Sequence, residues 1–194
     1  GPDSDWHGQG RLYEYTAGAA CGGYWSGVKD AAGIPDTLMS DGSPNGYARL
    51  HITQQGYRLQ WFNARQNPNA AMALYAPKVL RQGAYPAVSV YANVFMARPD
   101  AQVDFSIDDG PWMPMQRSLE LDPSVLAVNL RDNAAEALGA YDRNPEATPS
   151  SHLWKAALPT HLSTGAHRIR VRVTDLWLGE VVQETQYRLL EARP

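Results

Sequence analysis

Cysteine is almost absent: Cys21 is the single thiol in 194 residues. That excludes an internal disulfide and any cysteine-rich zinc site. Phenylalanine is scarce too, at three against six Trp and ten Tyr. The aromatic content is therefore carried by side chains that join an apolar body to a polar tip. Charged residues are few, at 19%, and nearly balanced, with a net charge of -3. No global field recruits nucleic acid. No apolar run reaches the ~20 residues that span a bilayer, and no stretch reads as a secretory leader. The chain opens Gly1-Pro2, which we read as a protease-cleavage scar; a missing leader then says nothing about the parent protein. One thiol fits cytoplasm and periplasm alike.

What is present is globular. Hydrophobic residues make up 44%, enough at this length for a buried core. Fourteen Pro and sixteen Gly cut the chain into short pieces, most of them alternating with period two. "YARLHIT" and "YRLQWFN" flank Gln54-Gln55-Gly56 and read as a hairpin. "AVSVYANVFM" places Val88, Val90 and Val94 in phase. "AQVDFSIDDGPWMPM" alternates Val103, Phe105 and Ile107 before an Asp109-Gly110 turn. "AHRIRVRVTD" alternates Ile169, Val171 and Val173 with arginines and pairs with "EVVQETQYRLLE". One helix is expected after the Asp122-Pro123 cap, ending near Gly139. The pattern predicts a mainly all-β fold, a β-sandwich of immunoglobulin-like or jelly-roll-like type, with at most one or two short helices. Residues 1–64 are expected to form an N-terminal strand and turn segment packed on the rest. Residues 65–84 look linker-like, and 85–194 form the sandwich, all within one compact unit.

The chemistry-bearing residues do not assemble into a catalytic pattern. His7, His51, His152, His161 and His167 show no zinc-protease spacing. Asp5-Trp6-His7 spells D-x-H, but a two-metal site needs further Asp, Asn and His ligands. Cys21 has no predictable activating neighbour, and we expect it buried and inert, as free cysteines commonly are. Ser26 lacks a nucleophile elbow. Gly22-Gly23 lacks the residues of a phosphate cradle. Arg168, Arg170 and Arg172 stripe one strand face, either as a solvated face or as a contact for an anionic ligand or acidic partner. Turn chemistry accounts for Asp108 and Asp109.

Two passages are more specific. "GRLYEYTAGAACGGYWSGVKDAAGIPDTLMSDGSPNGY" resembles the segment that follows the catalytic core in bacterial calcineurin-like phosphoesterases. It matches through Cys21-Gly22, Trp25-Ser26-Gly27, Asp30, Gly33-Ile34-Pro35, Met39, Asp41-Gly42 and Pro44-Asn45-Gly46-Tyr47. "SSHLWKAALPTHLSTGAHRIRVRVTDLWLGE" is similar to the end of the same domain, with its S-H-L-W, leucine-proline and G-x-H steps. The resemblance implies a non-catalytic C-terminal accessory domain that stabilises the catalytic domain or shapes its substrate cleft. The fragment itself then needs no cofactor. Divalent metals belong to a missing upstream domain, and Asp5-Trp6-His7 is a coincidence.

On this reading the partner is the chain's own phosphoesterase domain, with a glycan or phosphorylated substrate as a further ligand, no nucleic acid and no membrane span. Location is expected to be periplasmic or secreted. No catalytic, metal or cofactor-binding residue is assigned. Tyr24, Trp25, Ser26, Asp41, Asn45 and Tyr47 are interface or binding-loop candidates, together with Arg168, Arg170 and Arg172. An independent module for carbohydrate or cell-surface polymer is the alternative. It would use Trp25, Trp112, Trp154 and Trp177, set against core packing for at least half of them. A cysteine- or metal-dependent enzyme in its own right is the weakest reading.

Overall fold

Eleven strands and one helix fall among the described residues, and the order in which the strands pair selects between the two sandwich types. The structure is a computed structural model that describes residues 15–192, apart from 26, 30, 36, 55 and 66. Gly1-Pro2, Asp5-Trp6-His7 and Ser26 therefore lie outside the described residues. The elements are β1 (Gly46–Thr53), β2 (Gly56–Asn63), β3 (Met72–Tyr75), β4 (Val79–Arg81), β5 (Ser89–Val94), β6 (Gln102–Ile107) and β7 (Met113–Pro114). There follow β8 (Gln116–Leu121), α1 (Pro123–Ala134), β9 (Pro149–Ala157), β10 (Gly165–Asp175) and β11 (Gly179–Leu190). Among the described residues, no helix is long and apolar enough to cross a membrane.

One sheet runs β3-β5-β9-β8 and the other β4-β11-β10-β6-β7. In order these are the A-B-E-D and A′-G-F-C-C′ sheets of an immunoglobulin-type sandwich. β4 lies parallel to β11, while the other pairings are antiparallel. The positions where antibody domains place their inter-sheet disulfide correspond to β5 and β10. Here Val90, Ala92, Ile169 and Val171 fill that space, all fully buried. Alternation produces this core: Ile169, Val171 and Val173 point inward from β10, Val103 and Phe105 from β6, and Val90, Ala92 and Val94 from β5. A two-stranded ribbon, β1-β2, stands apart from both sheets.

Three expectations need correction. Residues 65–84 are not simply a linker. They supply β3 and β4, an edge strand for each sheet, with Met72 buried and Leu74 and Leu80 packed on the core. Strands of four and three residues are too short to show a period, and the Asn and Pro around them read as loop. The helix also ends at Ala134, because Ala135 turns to extended backbone, well before Gly139. Finally, Cys21 is exposed. Residues 15–19 form no strand, so nothing there carries the thiol into the core.

Candidate functional site

The described residues of 19–46 hold their shape by hydrogen bonds more than by regular structure. Gly22 has φ +66°, and a Cβ there would lie 2.4 Å from Thr37 Oγ1. Thr37 is buried in the fold of the loop and reaches the carbonyls of Cys21 and Tyr24 at 3.0 and 2.5 Å. Gly23 N–H donates to Leu38 O at 3.0 Å. Asn45-Gly46, a dipeptide that takes positive φ at little cost, does not do so here. The left-handed position is Gly42, at φ +85°, where the Met39 carbonyl accepts from Gly42 N–H. Asn45 is instead 3% exposed, and its Nδ2 donates to Ala20 O at 2.8 Å. It staples the start of the loop to the start of β1.

The DG turn seats on a buried polar cluster of the sandwich. Asn93 of β5 donates from Nδ2 to Asp41 O at 2.8 Å and to Asp122 Oδ2 at 2.7 Å. Both contacts are pure acceptors, which fixes the amide orientation. Asn93 Oδ1 then accepts from His152 Nδ1 at 2.7 Å. The other ring nitrogen, Nε2, faces Asp41 Oδ2 at 3.2 Å and Ser43 Oγ at 3.4 Å. Burial pushes the Asp41 carboxyl up. The His152 contact and the Ser43 N–H outweigh that and hold it below its ordinary value. Asp122 also caps α1, accepting from Ser124 N–H at 2.7 Å.

The expected site residues fall into three groups. Tyr24 and Trp25 are 60% and 53% exposed, presented outward from the braced loop. Tyr47 is also exposed and stacks on Phe62 at 5.3 Å. Asp41 and Asn45 are engaged inward, on Asn93, His152 and Ala20. The arginine stripe is matched within its own sheet: Arg168 pairs with Asp109, Arg170 with Asp109 at 3.1 Å, and Arg172 with Asp104 at 2.9 Å. Glu184 and Glu180 lie at 4.0 and 3.9 Å from Arg168 and Arg172. Arg170 and Arg172 both stand over the Trp112 ring. Four carboxylates thus face three guanidiniums, so the stripe offers little to an anion. Of the four tryptophans considered for glycan stacking, Trp154 is in the core. Trp112 lies under arginines, and Trp177 is half-buried beside Arg98. Trp25 is the most exposed of the four.

Sequence reasoning left the histidines without roles. His152 joins the loop to the sandwich. His167 is buried and faces two acceptors, Asp108 Oδ2 at 2.6 Å and Ser163 O at 2.8 Å. Burial opposes its charge, but these two partners outweigh burial and its pKa is raised. Both histidines lie in the second signature passage, in S-H-L-W and G-x-H. That was the available signal, and in the structure both side chains tie segments of the fold together. Among the described residues, no group of three or more His, Cys, Asp or Glu is disposed to hold a metal ion. A cleft of about 760 Å³ runs between the loop and the sandwich edge, with Leu38, Asn45, Arg65, Asn67, Leu74 and Gln183 among its walls.

The family model described as the C terminal of calcineurin-like phosphoesterase matches residues 14–180. No curated protein matches the chain.

Proposed function

Because this chain belongs to the family of C-terminal domains of calcineurin-like phosphoesterases, we propose that it is a non-catalytic accessory domain of a metal-dependent phosphoesterase. It steadies the catalytic domain and lends an aromatic wall to that domain's substrate cleft. The observation that carries this reading is how the signature residues are used. The signature residues Asp41 and His152 bind each other and Asn93 of β5, while Tyr24 and Trp25 of the loop they hold face outward. Polar groups turned inward and aromatics turned outward make a docking edge, not a reaction centre. Divalent metals and the phosphorylated substrate belong to the upstream domain, and the parent works in the periplasm or outside the cell. The test is to incubate the pure chain with a generic aryl phosphate and Mn2+. No turnover is expected, and metal-dependent turnover would overturn the reading. The exposed Trp25 keeps glycan stacking as a second reading. Iodide quenching of tryptophan fluorescence that glycans reverse would favour it.

A further inference from the structure

The β1-β2 ribbon wears its apolar face on the outside. The register pairs Ala48 with Trp61, Leu50 with Leu59 and Ile52 with Tyr57, all on one face. The opposite face carries Tyr47, Arg49 and His51 against Phe62, Gln60 and Arg58. A ribbon meant for water on both sides would show polar residues on both. At the root of the apolar face, Trp61 and Leu59 are buried at 7% and 9% exposure. Toward the tip, Leu50 is 53% and Ile52 79% exposed. An isolated two-stranded ribbon is marginal in water and needs cover on its apolar side.

Resting on the accessory-domain reading, we infer that this face, centred on Leu50 and Ile52, is the seat of the catalytic domain of the same polypeptide. Two observations select that occupant. The first is the path of the chain. Tyr15 and Ala17 line the same shallow depression of about 550 Å³ as Ala48, Leu50, Tyr57 and Leu59, so the first described residue, Tyr15, lies on this face. A domain tethered there meets the patch at a high effective concentration, and a modest apolar contact then suffices to hold it. The second is the chemistry of the lining, whose side chains carry no charge and whose only side-chain polar groups are tyrosine hydroxyls. A sugar or phosphate needs convergent polar groups, whereas the apolar surface of a neighbouring domain does not.

Hydroxyl-radical footprinting read by mass spectrometry tests this on the isolated chain and on the full-length parent. Oxidation of Leu50 and Ile52 is expected to fall several-fold in the parent. Leu176 and Tyr141, 78% and 90% exposed, should not change. Equal ribbon rates in both proteins would overturn the assignment. So would rates in the isolated chain already as low as that of buried Val90, which would mean that the chain covers its own ribbon. Protection that grows with concentration in the isolated chain would assign the face to a second copy and likewise overturn it. Aryl-phosphate turnover by the isolated chain, measured separately, would remove the accessory reading itself. An inert chain with an unprotected ribbon would remove only the docking face.

Discussion

His152 Nε2 lies 3.2 Å from Asp41 Oδ2 across 111 residues of sequence. Asp41 belongs to the SDGSPNGY passage and His152 to the SHLW passage, so the two family signatures meet at one contact. Asn93 closes the cluster from the other side of the imidazole. Satisfied polar networks of this kind fix a unique arrangement, and a half-satisfied one is costly. The long irregular loop that displays Tyr24 and Trp25 has few apolar anchors of its own, and this contact sets its position on the sandwich.

Gly42 is the tightest point of that seat. A Cβ there would lie 2.6 Å from both the Asp122 carboxylate and the Asn93 amide, at a backbone φ of +85°. Gly42→Ala should therefore cost about 2–3 kcal/mol from strain and overlap together. Urea unfolding should show a lower midpoint with an unchanged slope. A midpoint equal to that of the unsubstituted chain would mean that the turn is not clamped against Asn93 and Asp122.

His167 ties the Asp108-Asp109 turn to the start of β10, with Tyr187 packed beside its ring at 5.4 Å. Its pKa is raised above the ordinary 6.5. Its stabilising effect should be complete below about pH 6.5 and disappear as pH rises through the folded-state value. Asp108 is shifted the opposite way. Burial raises it, but His167 and the Arg168 N–H outweigh burial and lower it below 3.8, so its share is present above that value and lost in acid. Thermal unfolding followed from pH 5 to 9 should show the alkaline decline, and His167→Gln should remove it. A decline that survives in His167→Gln would assign it to another group.

The exposed thiol gives a simple readout. Cys21 should react with a thiol reagent in the native protein at a rate comparable to that in denaturant. Labelling that waits for unfolding would place the side chain inside after all.

On the outer face of β10, the Trp112 ring supports two guanidiniums, and the Nε atoms of Arg170 and Arg172 are buried against it without a hydrogen-bond partner. Trp112→Ala should cost about 1–2 kcal/mol. Arg168→Ala, an exposed pair at the edge of the stripe, should cost under about 1 kcal/mol. The reverse order, measured by urea unfolding, would mean that ion pairs and not the ring hold this face.

The sandwich was legible where strands were long and one-sided. Ile169, Val171 and Val173 alternate over a strand of eleven residues, and their facing strands do likewise. β3 and β4 were invisible because four and three residues carry no period. The loop was legible only as a signature. Its exposed aromatics could be anticipated, but the inward use of Asn45 could not, because one residue decides whether Asn turns the chain or braces it. Asn93 is one polar residue in a mostly apolar strand. Its role depends on Asp41, Asp122 and His152, which sequence separates and the fold unites. The pairing of the arginine stripe was hidden for a related reason. Alternation places three cations on one face, but the carboxylates facing them, Asp104, Asp109, Glu180 and Glu184, lie on other segments.

A double-mutant cycle on Asp41 and His152 tests most directly whether the two passages form one unit. Asp41→Asn, His152→Gln and the double variant would each be unfolded in urea at pH 6. Residues that share a hydrogen-bond network couple, and here the coupling should be about 1–2 kcal/mol, with each single variant capturing most of the loss seen in the double. Additive losses, agreeing within about 0.5 kcal/mol, would show that the signature loop and the SHLW strand are held independently, and would contradict a single seat shared by the two passages.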